Sequence, residues 1–299
     1  MKALLIGANG QLGTDLYRIF EAAGDVVVPV IHAQVDVCSE RLVSDVMLEA
    51  KPDVVLNTAA FHKVEECEKQ PGLAFQVNGI AAMNLAKACK RSGAILVHFS
   101  TDYVFDGQKN APYEETDRPS PLNVYGTSKV AGEHLIAAYA DRYFVIRTCG
   151  LYGMAGSSGK GGNFVENMLK KTAAGDAIRV VDDQVLTPTY TLDLAEATRR
   201  LVLTGDFGLY HVSSEGQCSW YQFTRTIFEL AGVNAQLRSV KTGDFPSSVK
   251  RPAYSVLSKT KFRATGLSIP TWQDALSRYL QERSGKIPLT SCASIPAST

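Results

Sequence analysis

The stretch "KALLIGANGQLGTDL", residues 2–16, places three glycines directly behind a run of apolar residues. Gly7, Gly10 and Gly13 fall where a predicted first strand, residues 2–7, passes into a predicted helix over residues 11–23. Glycines at this spacing allow a tight turn, close approach of the backbone to a pyrophosphate, and close packing of helix on strand. The free amides of the helix N-terminus would face the phosphates. The turn therefore predicts a dinucleotide site; a glycine-rich turn without a ligand is the alternative.

Beyond this turn, short apolar runs alternate with amphipathic segments. Strands are predicted at residues 26–30, 53–57, 94–100 and 143–148, and helices at 39–50, 71–91 and 121–140. Continuous apolar strands separated by helices indicate a parallel sheet covered on both faces, which is an α/β, Rossmann-like, doubly wound fold. Such sheets bind ligands at the carboxyl ends of their strands.

The composition of the chain changes near residue 149. A glycine- and serine-rich segment at 153–164 is a candidate lid. Later helices are predicted at 191–204, 219–231 and 271–282, and short strands at 178–181, 209–213 and 236–240. We therefore predict a dinucleotide-binding domain over residues 1–148, to which part of 176–210 returns, a smaller mixed α/β substrate-binding part over 149–283, and a loosely held tail at 284–299.

Charge and composition exclude several partners. The chain of 299 residues carries 31 basic and 30 acidic residues, so nucleic acid and anionic membranes are not expected to bind it. No stretch approaches the ~20 apolar residues of a membrane span, and the N-terminus lacks a signal-peptide pattern. Six scattered cysteines without a CxxC pair indicate reduced thiols. We therefore expect a cytoplasmic protein.

A tyrosine and a lysine lie four residues apart in "NVYGTSKVAGE", residues 123–133. This spacing places Tyr125 and Lys129 on one face of the predicted helix. The ammonium would lower the pKa of the phenol from its usual value near 10 and prepare it for proton transfer. Gly126 and Gly132 each cost a helix about 1 kcal/mol, which implies that cofactor, sheet or a partner helix packs closely. An ordinary surface pair, the alternative, leaves the glycines unexplained.

Hydroxyl side chains end the fourth predicted strand, in "VHFSTDYVFDG", residues 97–107. Ser100 and Thr101 would stand where a substrate oxygen lies in a sheet of this class. A hydroxyl, a phenol and an ammonium that converge on one carbonyl would form a proton-donating site for hydride transfer.

The second predicted strand bears on the choice of cofactor. It ends in "PVIHAQVDV", residues 29–37, with neither an acid nor an arginine at its tip. Because no carboxylate there would repel a 2′-phosphate, we favour NADPH and leave NADH open. His32 could meet that phosphate, or could simply be solvated.

These motifs resemble those of the extended short-chain dehydrogenase/reductases over nearly the whole chain, and within them those of the dTDP-4-dehydrorhamnose reductases. The shared segments are "GANGQLG" (7–13), "NTAAFHKVEECE" (57–68), "STDYVFDG" (100–107), "PLNVYGTSKVAGE" (121–133) and "DDQVLTPTYTLDLA" (182–195). The resemblance implies hydride transfer from NADPH or NADH to C4 of a nucleotide-linked 4-keto-6-deoxy sugar. The implied reaction is that of dTDP-4-dehydro-L-rhamnose to dTDP-L-rhamnose, in polysaccharide biosynthesis.

The resemblance also implies roles for particular residues. Tyr125 would protonate the nascent O4, Lys129 would tune it and bind the nicotinamide ribose, and Thr101 would hydrogen-bond the keto oxygen. The residues implied to bind the cofactor, besides the turn glycines Gly7 and Gly13, are Gly10, Gln11, Leu12, Asp36, Val37, Ala60, Phe61, His62 and Phe99. The residues implied to face the sugar nucleotide are Val64, Asp102 and Tyr103.

Two further residues are candidates for the substrate. Thr189 could reach the substrate from the "PTYTLDLA" segment, residues 188–195. Arg251, in "KRPAYS", could pair bidentately with a diphosphate. Anchoring of its own loop is the equally weighted alternative for this arginine.

One position departs from the pattern of these reductases. Gly150, in "RTCGLYG" (147–153), stands where they commonly carry an aromatic residue over the sugar. An aromatic contact of that kind contributes ~0.5–1.5 kcal/mol beyond its area. Tyr152, or a residue of the 153–164 segment, could take its place.

Two other functions are compatible with parts of the resemblance. A sugar-nucleotide 4,6-dehydratase usually carries an Asp–Glu pair after the strand-end threonine, and this chain has Asp102–Tyr103 instead. The methionine adenosyltransferase beta subunit is a non-catalytic, NADP-binding regulatory protein of similar sequence. Against that alternative, the chain keeps Thr101, Tyr125 and Lys129.

The resemblance leaves Mg²⁺ and a homodimer open, because some of these reductases bind Mg²⁺ through carboxylates at a dimer interface. Asp15 stands where such a carboxylate would lie. A single surface aspartate is far more often solvated, so we assign no metal ligand.

Overall fold

The computed structural model describes residues 1–156, 162–173, 177–245 and 249–285. The strands are β1 (Lys2–Ile6), β2 (Val26–Val30), β3 (Val54–Asn57), β4 (Ile95–Thr101), β5 (Tyr143–Thr148), β6 (Leu151–Tyr152), β7 (Ile178–Val181), β8 (Val185–Leu186), β9 (Thr189–Tyr190), β10 (Gly208–His211), β11 (Cys218–Ser219) and β12 (Leu237–Val240). The α-helices are α1 (Gln11–Ala22), α2 (Glu40–Ala50), α3 (Val64–Lys69), α4 (Pro71–Phe75), α5 (Ala81–Ser92), α6 (Val124–Tyr139), α7 (Phe164–Ala173), α8 (Thr191–Thr204), α9 (Trp220–Ala231), α10 (Thr260–Ala264) and α11 (Trp272–Arg283). A π-helical turn (Gln76–Ile80) joins α4 to α5, and 3-10 turns span Asp102–Val104 and Thr242–Asp244.

A parallel six-stranded sheet, in the order β10-β5-β4-β3-β1-β2, carries the fold. Its inner strands are apolar along their length because both faces are covered. One face packs against α1 and α8, and the other against α2, α5 and α6. The predicted Rossmann-like, doubly wound α/β fold is confirmed.

The helix that carries Tyr125 starts later than predicted. Its prediction covered residues 121–140, whereas α6 begins at Val124. Asn123 has an extended backbone, and its side chain accepts a hydrogen bond from the Gly126 amide at 2.8 Å. An asparagine cap of this kind satisfies an amide at the helix start, so it fixes the first helical residue.

The C-terminal part adds three two-stranded sheets, which pair β6 with β9, β7 with β12 and β8 with β11. A second core, rich in aromatic residues, holds it together, with Tyr152, Tyr190, Phe223, Trp272 and Tyr279 all buried. The chain returns to the main sheet through β10, which pairs with β5, while α8 packs on α1. The boundary at residue 148 stays a prediction.

Some sequence predictions fall outside the described residues. The candidate lid at 153–164 is described only at 153–156 and 162–164, and the predicted tail only at 284–285. Within the described ranges, no helix combines the length and apolar character that a membrane crossing requires. None of the cysteines in these ranges forms a disulfide bond.

Candidate active site

A cavity of about 500 Å³ opens at the carboxyl ends of β1, β4 and β5. This volume is typical of a site for a small molecule or cofactor. Residues of the glycine turn and of the strand ends line it, together with Phe164, Trp220 and Ser255 of the C-terminal part. The cavity thus lies where a doubly wound sheet is expected to bind its ligand.

The glycine turn shapes the end of the cavity nearest to α1. Gly7 has a φ of +81°, and a Cβ on it would lie 2.6 Å from Thr58 Oγ1. A Cβ on Gly13 would lie 2.2 Å from the Gly7 carbonyl oxygen, so α1 packs directly on the turn. Gly10 is the N-cap of α1, and its neighbours Gln11 and Leu12 line the cavity with it.

Unpaired polar groups at this end fit a bound dinucleotide. Gln11 Oε1 and Thr148 Oγ1 are buried in the cavity wall and have no hydrogen-bond partner in the described part of the chain. The first amides of an α-helix also lack intrahelical acceptors and carry partial positive charge. Because Gly10 has no side chain to cap them, these amides are available to phosphate oxygens.

The structure brings Thr101, Tyr125 and Lys129 together in the wall of this cavity. A hydrogen bond joins the side chains of Tyr125 and Thr101, and Thr101 Oγ1 donates to Asp102 Oδ1 at 3.1 Å. Lys129 Nζ donates to the Phe99 carbonyl oxygen at 2.7 Å. A hydroxyl, a phenol and an amine therefore face one space at the end of β4.

The expected lowering of the Tyr125 pKa by Lys129 is not what the structure gives. Burial disfavours the phenolate and raises the pKa of Tyr125 above its usual value, although the hydrogen bond with Thr101 works in the other direction. Burial also lowers the pKa of Lys129 to about 8. The phenol is thus held protonated, as a general acid requires, while the amine titrates close to neutral pH.

A buried chain of hydrogen bonds leads to Lys129. The Ala59 amide donates to Asn57 Oδ1 at 3.1 Å, which turns Asn57 Nδ2 toward His98 Nδ1 at 2.9 Å. Nδ2 can only donate, so His98 Nδ1 accepts and a neutral His98 carries its proton on Nε2. This N–H lies 2.9 Å from Lys129 Nζ. The chain therefore favours the neutral amine, in the same direction as burial.

Asp102 is buried beside the catalytic candidates and lines the cavity. Its Oδ2 accepts a hydrogen bond from Ser255 Oγ at 2.6 Å. Burial raises the pKa of Asp102 to about 6, against the opposing hydrogen bonds from Ser255 and Thr101. Tyr103 follows it in the wall, with its ring edge-on to that of Tyr125 at 6.0 Å between centroids.

Close packing explains the two glycines of α6. A Cβ on Gly126 would lie 2.2 Å from the Tyr103 carbonyl oxygen, and one on Gly132 would lie 2.3 Å from the Asn78 carbonyl oxygen. Gly126 thus lets α6 reach the end of β4, and Gly132 lets it reach the π-helical turn. The predicted close approach is confirmed.

The chain matches the family model described as RmlD substrate binding domain over residues 1–284. It belongs to this family. The spore coat polysaccharide biosynthesis protein SpsK of Bacillus subtilis (strain 168) is 43% identical over 283 residues, covering 95% of this chain and 98% of SpsK.

Two further relatives carry the name of a reductase. The dTDP-4-dehydrorhamnose reductase of Burkholderia thailandensis is 35% identical over 300 residues, covering 94% of this chain and 99% of that protein. The crystal structure of dTDP-4-dehydrorhamnose reductase from Bacillus anthracis str. Ames, described as a complex with NADP, has a TM-score of 0.90 at 36% identity, covering 94% of this chain and 99% of that one. The predicted resemblance and oxidoreductase class are confirmed.

The other residues predicted for the cofactor divide into two groups. Ala60, His62 and Phe99 line the cavity. Asp36, Val37 and Phe61 do not line the cavity and make hydrogen bonds with other parts of the protein. Asp36 accepts from the Cys38 amide at 2.9 Å, the Val37 carbonyl accepts from Asn84 at 3.2 Å, and the Phe61 amide donates to Asn78 at 2.9 Å. His32, after β2, is exposed.

Of the residues predicted for the substrate, Val64 lines the cavity but Thr189 and Arg251 do not. Thr189 is fully buried, and its hydroxyl donates to the Thr187 carbonyl at 3.2 Å. That it reaches a substrate stays a prediction. Arg251 forms an ion pair with Glu65 of α3. That pair supports the loop-anchor alternative.

Asp15 is not solvated, contrary to expectation for a lone aspartate in this family. It is buried between α1 and α8, where its Oδ2 accepts from Thr191 Oγ1 at 2.5 Å. Burial raises the pKa of Asp15 to about 6. The residues that the structure describes contain no group of three or more side chains able to hold a metal ion.

The aromatic residue that Gly150 lacks is not supplied by Tyr152, which is fully buried in the aromatic core. Phe164, at the end of the glycine-rich segment, lines the cavity together with Trp220 of α9. Sequence reasoning missed Trp220. Its signal was a large aromatic residue directly after Ser219, which caps α9.

Proposed function

We propose that this member of the RmlD family uses NADPH to reduce the C4 keto group of a nucleotide-linked 4-keto-6-deoxy sugar. Within that class we propose dTDP-4-dehydro-L-rhamnose as substrate and dTDP-L-rhamnose as product. The observation that carries the proposal is the shared cavity, which Tyr125, Thr101 and Lys129 line together with a helix N-terminus suited to receive phosphates.

The proposed reaction divides the work between cofactor and side chains. Bound NADPH supplies a hydride to the carbonyl carbon. Thr101 and Tyr125 would hydrogen-bond the keto oxygen and hold the carbonyl at the end of β4. As the carbon gains the hydride, Tyr125 would give its proton to the oxygen, so that the ketone becomes an alcohol. Lys129, in its protonated form, would stabilise the phenolate left behind.

The names of relatives support the substrate class and the cofactor. The B. thailandensis protein is named for dTDP-4-dehydrorhamnose reduction, and the B. anthracis structure is described as holding NADP. The end of β2 also supports NADPH, because no acid lies at the strand tip and Asp36, farther along the loop, accepts a hydrogen bond from the Cys38 amide. SpsK, a polysaccharide biosynthesis protein by name, supports a place in polysaccharide assembly. We propose a cytoplasmic site for that work.

The test is turnover by the purified chain with NADPH and dTDP-4-dehydro-L-rhamnose. We expect the nicotinamide absorbance to fall and dTDP-L-rhamnose to form, more slowly with NADH. Tight NADPH binding without turnover of any nucleotide sugar would instead support a non-catalytic regulatory subunit.

Tyr125→Phe tests the proton donor. The variant loses the acidic hydroxyl and keeps the ring, so we expect turnover to fall by at least 10²-fold while NADPH affinity stays within about twofold. Tyr139→Phe, at an exposed position on the same helix, is the matched control and should remain fully active. Full activity of Tyr125→Phe would refute the assignment.

A further inference from the structure

The hydroxyl group of Thr101 is fully used within the described chain. A hydroxyl group donates one hydrogen bond and accepts up to two. Thr101 Oγ1 donates to Asp102 Oδ1 at 3.1 Å and accepts from the Tyr103 amide at 3.2 Å. Its hydrogen bond with the Tyr125 hydroxyl takes the remaining lone pair. In this arrangement Thr101 has no proton to give to a keto oxygen.

The carboxyl group of Asp102 decides where the Thr101 proton points. An ionised carboxylate can only accept, so Thr101 must donate to it, whereas a neutral carboxyl group can donate through the oxygen that carries its proton. Oδ2 already accepts from Ser255 Oγ at 2.6 Å, which is shorter than the 3.1 Å contact of Oδ1 with Thr101. The proton of a neutral Asp102 therefore lies on Oδ1, where it reverses the hydrogen bond and frees the Thr101 proton.

Both forms of Asp102 are accessible near neutral pH. Burial raises the pKa of Asp102 to about 6, against hydrogen bonds from two hydroxyl groups and two backbone amides. Three titratable groups interact with its charge, which are Tyr103 on the same turn, Tyr125 on α6 and Cys149 after β5. Burial raises the pKa of each of these three, so they stay neutral. Lys129 lines the same cavity and, with a pKa of about 8, is a cation while Asp102 titrates.

We propose that Asp102 is a positioning residue, which takes up one proton as the keto sugar binds and thereby turns the Thr101 hydroxyl toward the keto oxygen. In the bound state Asp102 Oδ1–H donates to Thr101 Oγ1, and Thr101 and Tyr125 both donate to the keto oxygen. The proton comes from solvent and returns there when the product leaves. The reduction itself still takes one hydride from NADPH and one proton from Tyr125. This inference rests on the proposed function for its ligand, a keto sugar.

Proton uptake on binding measures this step without turnover. Protein loaded with NADP+ has no hydride to transfer, so dTDP-4-dehydro-L-rhamnose binds to it and is not reduced. Calorimetric titrations at pH 7.5 in buffers of different ionisation enthalpy give the number of protons taken up. We expect about one proton more for the keto sugar than for dTDP, which has no keto group. Equal uptake for the two ligands would overturn the proposal.

Asp102→Asn tests which group takes up the proton. An asparagine does not titrate, but its amide can accept from Ser255 and donate to Thr101 as the neutral carboxyl group would. We therefore expect the variant to bind the keto sugar with no uptake beyond that for dTDP. Asp141→Asn, at an exposed carboxylate after α6, is the matched control and should keep the wild-type uptake. An extra proton that persists in Asp102→Asn would refute the role of Asp102.

Two variants of Thr101 test whether the proton acts through its hydroxyl group. Thr101→Ser keeps a hydroxyl at the end of β4, so the extra proton should still be taken up. Thr101→Val has nearly the same shape but no hydroxyl, so a neutral Asp102 finds no acceptor and the extra uptake should fall below about half a proton. A merely structural role would not separate the two variants in this way. Equal uptake in both would show that the proton does not serve the Thr101 hydroxyl.

The same coupling predicts how affinity for the keto sugar depends on pH. Because binding and proton uptake are reciprocal, the Kd of the wild type should rise by about tenfold for each pH unit above the pKa of Asp102, and that of Asp102→Asn should not. A wild-type Kd that is independent of pH would contradict the proposal. If the keto sugar is reduced with NADPH but binds without the extra proton, the proposed reductase stands and this inference fails. If it binds with the extra proton but is never reduced, the proposed reductase fails and the role of Asp102 stands.

Discussion

The charge of one buried amine depends on residues that never touch the cavity. Asn57 and His98 lie on neighbouring strands. Because the Ala59 amide donates to Asn57, Asn57 donates to His98, and His98 presents an N–H to Lys129 Nζ. Burial of Lys129 and the His98 N–H that faces it both favour the neutral amine. Lys129 therefore titrates near neutral pH, and its charge is adjustable by its neighbours.

His98→Leu should move the pH dependence of the proposed reduction. In the wild type, activity that needs the protonated amine falls as pH rises through about 8, the pKa of Lys129. The leucine removes the N–H that favours the neutral amine, so we expect this limb of the kcat/KM profile to shift to higher pH. Profiles from pH 6 to 10 measure it.

The control for this shift is His134→Leu, at an exposed position on α6. Its limb should coincide with that of the wild type. A limb that also stays in place in His98→Leu would mean that burial alone sets the charge of Lys129.

Among the helices, α6 owes its position to two glycines, Gly126 and Gly132, which have no side chain. Glycine at two points lets it touch the backbone on either side, which brings Tyr125 and Lys129 to the end of β4. The cost in helix propensity, about 1 kcal/mol at each glycine, is offset by packing that a side chain would prevent. Glycines in the middle of a helix are therefore a sequence signal of close approach, although they do not say to what.

Gly132→Ala should destabilise the protein by about 1–3 kcal/mol, the usual cost of overpacking, because its Cβ meets a backbone carbonyl at 2.3 Å that cannot turn aside. Gly72→Ala on α4 has no atom within 4 Å of the new Cβ. We expect that control to gain up to about 1 kcal/mol. Urea denaturation gives both free energies of unfolding. A neutral Gly132→Ala would show that α6 can move away from the π-helical turn.

At the scale of the whole molecule, the cavity is made by joining two parts of the chain. Ser255 reaches Asp102 across 153 positions of sequence, and Phe164 and Trp220 of the C-terminal part line the same cavity. Asp102 is buried at this junction and holds its proton more tightly than in an unfolded chain. This carboxyl therefore binds more protons in the folded state than in the unfolded state between pH 4 and 6.

Asp102→Asn should reveal this linkage. With a folded pKa of about 6 and an ordinary value of 3.8, Asp102 makes the free energy of unfolding decrease as pH rises from 4 to 6. The total is at most about 3 kcal/mol, at 1.36 kcal/mol for each pKa unit. Asparagine does not titrate, so the slope against pH should become less negative than in the wild type. Asp45→Asn, at an exposed position, should leave the slope unchanged. An unchanged slope in Asp102→Asn would mean that the carboxyl is solvated.

Local patterns in the sequence were enough to predict a parallel sheet covered on both faces, the glycine turn and the Tyr125–Lys129 pair. Apolar runs, glycine spacing and an i, i+4 pair are local patterns, so they predicted strands β2, β5 and β7 and helix α8 with their observed bounds. That Thr101, Tyr125 and Lys129 line one cavity was predictable, because Thr101 ends a strand at the ligand-binding edge of a parallel sheet and the other two share one face of a helix.

Which residues are buried, and which side chains they form hydrogen bonds with, depends on tertiary packing. Burial raises the pKa of Tyr125, opposite to the expected shift, and Asp15 is buried rather than solvated. Tyr152 is buried in the aromatic core and does not line the cavity. Contacts such as that of Ser255 with Asp102 join segments far apart in the chain. Desolvation and long-range hydrogen bonds depend on the whole packed arrangement, and no local pattern of residues encodes them.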